Sequence, residues 1–379
     1  LAGHRVCQVS PAQADEKTLR RVAQALLGAR SPVIITEYAG RDPGALECLV
    51  RLAELLGCPV MEPGMRGFLN FPTTHPLYLR FDPKVVAAAD VVFIAGASTP
   101  WYPVSRRPES VSQVIALDSD FPKSHLPSLG APADLAIPAP MGPALARLAD
   151  MVASERGERL ATESRLRSVQ WQQQHERQRQ ALEKEAQAVR EQRPISSRWL
   201  CHVLDRVLPQ DAVVFQEVTV QRQLAMDYIE RSLPGTFYGR ISGGLGVSLG
   251  YALGIKLAAP QALSVALVGD GAFHYNPALA CFGLAQEYRL PIMVVVFDNG
   301  AYASMRRDIL EFFPQGWAQR TSTFYGSDIL PRPDYAAIAA AYGGYGVCVR
   351  EPGELEPALR RAMDEARGRL ALVDVVLSG

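Results

Sequence analysis

The stretch LSVALVGDGAFHYNPALACFGLAQEYRLPIMVVVFDNGAYASM, residues 263–305, decides the fold. It contains two unbroken apolar runs, LSVALV and IMVVVF, and each stops at an acid beside small residues: Asp270 between Gly269 and Gly271, and Asp298 before Asn299. Apolar runs without polar alternation read as strands covered on both faces, as in a parallel sheet. Between them Asn276-Pro277 reads as a helix N-cap with proline at the first helical position. Residues 277–288 are therefore predicted to be the crossover helix of a right-handed βαβ unit. Both strand tips then open on the same crevice, the place where parallel sheets bind ligands. A carboxylate at such a tip has lost hydration and needs a compensating charge.

Gly269 and Gly271 let the backbone approach a ligand closely. The Asp270 carboxylate, the Asn299 amide oxygen and a neighbouring main-chain carbonyl suit a hard cation such as magnesium, whose remaining positions go to water and phosphate oxygens. Either turn taken alone also admits a plain reading, as an Asp-, Asn- and Gly-rich turn chosen for its geometry. Both in one βαβ unit favour the metal with a diphosphate.

Outward from this stretch the pattern continues. In residues 1–153 the runs PVIIT, CPVM, DVVFIAGA and QVIALD alternate with the amphipathic patterns ADEKTLRRVAQALLGAR and GALECLVRLAELLG, the second stopped at Gly57. Residues 154–194 are rich in Gln, Glu and Arg, with almost no apolar stripe, and end at Pro194; they read as a solvated helix held by i,i+4 pairs, or as an interaction arm. Residues 195–379 resume the alternation with SSRWLCHVLDRVL, AVVFQE, a helix from Thr219, a glycine-rich segment, the opening stretch and LALVDVVL. The predicted fold class is α/β, two doubly wound parallel-sheet domains joined by a charged helical linker.

The 39 basic side chains balance 39 acidic ones, which argues against nucleic acid or an anionic membrane surface as a partner. The six cysteines are scattered, Cys7 among them, without C-x-x-C or zinc spacing, which fits a reduced cytoplasm. Residues 243–259, the longest apolar stretch, carry Ser248 and Lys256 and are too short to span a bilayer.

Gly269-Asp270-Gly271, followed 29 positions after the acid by Asn299, resembles the thiamine diphosphate motif of the acetolactate synthase and benzoylformate decarboxylase superfamily. The first asparagine of that family's usual pair is Asp298 here. The segment GGLGVSLGYALGIKLA is similar to the same family's glycine-rich segment. On this resemblance residues 1–153 are the middle domain and 195–379 the diphosphate-binding domain. It implies that Asp270, Asn299 and the Ala301 carbonyl hold Mg2+, with Gly269 in the same motif, and that the Gly271 and Ala272 amides meet the diphosphate. It further implies that the Gly243 carbonyl faces the cofactor's 4′-amino group, that Leu245 props the bent cofactor, and that Thr219 lies on the diphosphate side. His274 and Tyr302 are the catalytic candidates, His274 alternatively a structural donor. Met305 and Arg306 fall where the family shapes its substrate pocket, an exposed surface arginine being the plainer reading of Arg306.

Three departures matter. The glutamate that the family uses against the pyrimidine ring comes from a domain preceding the middle domain, and no such domain is found in this sequence. Either another subunit supplies it or an N-terminal part has been lost, and Leu1 in place of methionine favours the second. The family's flavin-binding segments are replaced by GASTPWYP at residues 96–103 and GMRG at 64–67, so flavin adenine dinucleotide (FAD) is not carried over; Trp101 and Tyr102 are expected to pack against the linker. Gly246, Gly250 and Gly254 at four-residue steps are not the dinucleotide fingerprint and suggest close helix packing. The expected activity is decarboxylation of a 2-keto acid, or joining of the resulting acyl group to a second carbonyl, in a dimer or tetramer. The rivals are an acyl-CoA lyase of the oxalyl-CoA decarboxylase kind and a non-catalytic subunit that holds the cofactor.

Overall fold

Apolar runs become strands where the sequence places them, and two six-stranded, wholly parallel sheets result. The computed structural model describes residues 13–64, 66–102, 108–121, 133–240 and 243–378; Leu1, Cys7, Met65 and Pro103, on which parts of the sequence reading rest, lie outside this set. The chain divides into two units, residues 1–177 and 178–379.

In the first unit the strands are β1 (Pro32–Thr36), β2 (Val60–Glu62), β3 (Tyr78–Arg80), β4 (Val91–Ala95), β5 (Gln113–Leu117) and β6 (Leu135–Ile137), in the order β3-β2-β1-β4-β5-β6. This is the order of the dinucleotide-type doubly wound sheet. Its helices are α1 (Glu16–Gly28), α2 (Pro43–Leu56), α3 (Pro83–Ala87) and α4 (Met141–Glu155). Each start and stop has a local cause. The Asp15 carboxylate caps α1 at Thr18 N, 2.8 Å away, and Asp42 caps α2 at Gly44 N, 3.1 Å away. Gly57 ends α2 at φ +60°, the left-handed conformation that glycine adopts without strain.

The charged segment forms α5 (Glu158–Ala188), which begins in the first unit and ends in the second. It is less solvated than its composition suggests. Ser164 is buried against Gly57, where a Cβ would overlap its carbonyl, and Arg167 Nη2 donates to Leu56 O at 2.6 Å. Further along, Leu182 O accepts from Tyr228 Oη at 3.0 Å and Arg179 pairs with Glu230 at 2.8 Å. Its buried positions, Leu160, Ser164, His175, Leu182 and Ala186, mix apolar with small and polar side chains and so leave only a weak stripe in the sequence.

The second unit contains β7 (Val213–Glu217), β8 (Phe237–Gly239), β9 (Ser264–Gly269), β10 (Met293–Asp298), β11 (Tyr345–Val349) and β12 (Ala371–Val376), ordered β11-β12-β10-β9-β7-β8. Every residue of β10 and β12 is buried, as expected of central strands between helical layers. The helices are α6 (Ser197–Val207), α7 (Arg222–Tyr228), α8 (Ser248–Ala258), α9 (Asp270–Tyr275), α10 (Ala278–Glu287), α11 (Ala303–Phe312), α12 (Trp317–Thr321), α13 (Tyr335–Ala341) and α14 (Pro352–Glu365). Among the described residues no helix is long and apolar enough to cross a membrane.

Candidate functional site

The strand order creates the site. From β7 the chain moves to β8 on one side and to β9 on the other, so the carboxyl ends of β7 and β9 flank a topological switch point, where open α/β sheets bind ligands. β7 ends at Glu217, β9 leads into Asp270, and the neighbouring β10 ends at Asp298.

The tip of β10 wraps around the Asp270 carboxylate. Asp270 Oδ1 accepts from Gly271 N at 2.8 Å, while Oδ2 accepts from Gly300 N at 2.7 Å and Ala301 N at 3.2 Å. Asn299 Oδ1 accepts from Ala301 N at 3.0 Å, which closes an Asx turn at the same tip. Gly300 sits at φ +70°. Burial, and after it the charge of Asp298, push Asp270 up to about 7, although the Gly271 and Gly300 amides pull the other way. The carboxylate is short of positive charge, which a divalent cation would supply. Among the described residues no three His, Cys, Asp or Glu side chains gather as a metal cluster, so a cation here depends on a mixed set. One carboxylate, one amide oxygen and a peptide carbonyl suit magnesium in that role.

Asp374 lies on β12 in register with Val296 and Cys348, and its Oδ1 has no hydrogen-bond partner among the described residues. Burial and the Asp298 charge raise it to about 7, above the ordinary 3.8. Its neutral form therefore stabilises the fold fully below the unfolded value, and that contribution is lost as pH rises through the folded one. Asp374→Asn, which stays neutral, is expected to be more stable than the wild type by roughly 1–3 kcal/mol above about pH 8, with the gain gone near pH 4. Urea midpoints across that range check this; a gain independent of pH would contradict it.

Glu217 escaped the sequence reading. Its buried carboxylate accepts from Gly246 N at 2.8 Å, Val247 N at 3.2 Å, Ser248 N at 3.0 Å and Asn276 Nδ2 at 3.0 Å. Asn276 Oδ1 in turn accepts from Leu249 N at 3.1 Å. An acid from β7 and an amide from the loop after α9 thus satisfy the free N–H groups at the start of α8. This corrects the role expected for Asn276, since α10 begins at Ala278 without a side-chain cap. Gly246 carries the loop at φ +93° beneath the Tyr275 carbonyl, which a Cβ would overlap. An acid ending a buried strand, the signal read at Asp270, would have found Glu217 too.

The other predicted residues fall around this frame. The Gly243 and Gly244 carbonyls accept from Arg240 Nη1 at 2.7 and 3.0 Å. Leu245 is half-buried against the core beside β9, and Thr219 is half-buried in the turn after Glu217. Ala272 is buried in the first turn of α9. Tyr302 lays its ring over Gly271 and meets Tyr275 edge-on, with centroids 6.2 Å apart; burial, Tyr275 and Asp270 raise its phenol above the ordinary value. His274 is exposed, with Nε2 3.0 Å from the Oη of buried Tyr335. Met305 is exposed. Arg306 is ion-paired to Asp328, bonded to Ser327 Oγ at 3.0 Å and laid over Phe324, so an incoming carboxylate would compete with Asp328.

Two packing expectations are corrected, the second for Tyr102 alone. A Cβ at Gly250 or Gly254 would meet open space among the described residues; α8 there faces a groove of about 560 Å³, lined also by Tyr251, Ile255 and Pro277. In the first unit Trp101 is buried in a cluster that Trp171 of α5 joins, whereas Tyr102 is exposed. At that unit's own switch point, between β1 and β4, the Glu37 carboxylate accepts from Ser98 N at 2.7 Å and Thr99 N at 3.3 Å.

Comparison with known proteins agrees with this geometry. The central domain of thiamine pyrophosphate enzymes matches residues 19–148, and their C-terminal TPP-binding domain matches residues 219–375. The chain is 27% identical over 377 residues to the acetolactate synthase isozyme 3 large subunit of Escherichia coli, covering 95% of this chain and 62% of that protein. It is 26% identical over 366 residues to benzoylformate decarboxylase of Pseudomonas aeruginosa, covering 94% and 63%. Sulfoacetaldehyde acetyltransferase of Castellaniella defragrans is 25% identical over 378 residues, covering 92% and 60%. The chain thus spans less than two thirds of the length of these relatives. Among solved structures, a thiamine diphosphate-dependent 4-hydroxybenzoylformate decarboxylase of Rhodococcus jostii superposes with a TM-score of 0.76 at 23% identity, over 98% of this chain and 66% of that one. A matching pair of domains, in the family's order and on the family's fold, carries the conclusion: the chain belongs to the thiamine pyrophosphate enzymes and comprises their central and C-terminal cofactor-binding domains.

Proposed function

We propose that the second unit holds thiamine diphosphate through Mg2+, with Asp270, Asn299 and the Ala301 carbonyl as protein ligands, and that the protein acts on a 2-keto acid by decarboxylation or by transfer of the resulting acyl group. The observation that carries this reading is the buried Asp270 carboxylate, ringed by backbone donors yet short of positive charge at a switch point. The names of the relatives, a synthase, a decarboxylase and an acetyltransferase, support the reaction class.

When bound, the cofactor supplies a carbon nucleophile and an electron sink. The chain's own residues orient and enclose it. Glu217 and Asn276 hold the loop that presents Gly243 and Leu245. Tyr302 lies over Gly271 with Tyr275 edge-on to it, and His274 acts as a proton carrier beside them. A pyrimidine-binding domain that brings the activating glutamate belongs to this reading.

The direct test is carbon dioxide release from a panel of 2-keto acids by the protein together with its pyrimidine-binding domain, thiamine diphosphate and Mg2+. Release dependent on both cofactors is expected, and none from any acid would contradict the proposal. Leu245→Ala is expected to slow exchange of the cofactor's C2 proton while changing cofactor affinity by less than about threefold. Exchange followed by NMR at the wild-type rate would make Leu245 a packing residue of its loop.

A further inference from the structure

Asp298 is fully buried, one residue before Asn299, and it shares a donor with Asp270: the Gly300 amide lies 2.9 Å from Asp298 Oδ1 and 2.7 Å from Asp270 Oδ2. Two carboxylates thus converge on one N–H at the end of β10. Asp298 Oδ2 has no hydrogen-bond partner among the described residues, but Arg332 Nε stands 2.9 Å from it in a charge contact that lacks hydrogen-bond alignment. The Arg332 side chain is 29% exposed, and its guanidinium reaches in from the rim and lies on Gly300, where an added Cβ would come within 2.9 Å of Nη2.

Resting on the cofactor reading above, we infer that Arg332 is a positioning residue that takes up the Asp298 charge, holds the Gly300 turn, and so reserves Asp270 as the carboxylate that faces the cation. The motif that this segment resembles has an asparagine at position 298, which needs no countercharge. This chain has an acid there, and Arg332 is the cation whose contact neutralises it. Without the guanidinium, a buried and unpaired carboxylate would stand beside Asp270 on the shared amide. The Gly300 turn is then drawn away from Asp270, or Asp298 competes with Asp270 for the cation. Either movement disturbs Asn299 and Ala301, which are parts of the same turn.

The test is calorimetric titration of thiamine diphosphate, with Mg2+ present, into the whole protein as wild type, Arg332→Gln, and the double variant Asp298→Asn/Arg332→Gln. Arg332→Gln is expected to bind the cofactor about tenfold more weakly or worse, because it leaves the buried acid unpaired. The double variant, which removes both charges, is expected to return to within about threefold of wild type. A merely structural arginine would leave the double variant at least as weak as the single one, and that result overturns the inference. So does wild-type affinity in Arg332→Gln. Absence of binding by the wild-type protein would overturn the cofactor reading, and this inference with it.

Discussion

Asp270→Ala is expected to weaken binding of thiamine diphosphate with Mg2+ by about a hundredfold or more, roughly 2.7 kcal/mol, with the fold retained. Among the described residues at the tip of β9 and β10, this carboxylate offers a cation both a negative charge and a geometry already fixed by three backbone donors. Its removal leaves the Gly271 amide without that acceptor, while the Gly300 and Ala301 amides keep Asp298 Oδ1 and Asn299 Oδ1, and it also removes a charge that burial opposes. These effects act in opposite directions on the cofactor-free protein, so the change in stability is smaller than the change in affinity. Calorimetry together with circular dichroism separates the two. Cofactor affinity equal to wild type in a folded variant would remove Asp270 from the site.

The second large effect is expected at Glu217, and there stability falls together with binding. Glu217→Ala leaves three consecutive backbone amides at the start of α8, and the Asn276 side-chain amide, without their common acceptor. Breaking a buried, multiply bonded carboxylate of this kind costs about 3–5 kcal/mol. The same amides hold Gly246 at its positive φ, so the loop carrying Gly243 and Leu245 loosens and the cofactor site with it. Urea denaturation should show the lost stability, and calorimetry a parallel loss of affinity. A variant within about 1 kcal/mol of wild type would mean that α8 is capped by other means.

Much of this was legible in the sequence, for a physical reason. Central parallel strands are continuously apolar, so β1, β4, β9, β10 and β12 stand out from their surroundings, and the acids that end β9 and β10 mark the crevice. Strands of three residues, such as β3, β6 and β8, carry too few side chains to show a pattern, and β11 is interrupted by Gly346. Side-chain roles that depend on chain-distant partners were invisible. Glu217 meets residues about thirty and about sixty positions away, and Asp298 meets Arg332 across a separate loop. Asn276 shows the same limit. Next to Pro277 it looks like a local cap, but its side chain serves α8, because the turn after α9 carries it toward Glu217 and away from α10. The charged helix α5 misled in the opposite sense, since its contact face mixes Leu160, Trp171, Leu182 and Ala186 with Ser164 and Arg167.

In the proposed function a divalent cation at Asp270 and Asn299 joins a diphosphate to this fold. Electron paramagnetic resonance of Mn2+ added with thiamine diphosphate to the whole protein tests it most directly. A tightly bound Mn2+ with phosphorus hyperfine coupling is expected in the wild type, lost in Asp270→Ala and weakened in Asn299→Ala. An equally tight, phosphorus-coupled Mn2+ in Asp270→Ala would contradict it.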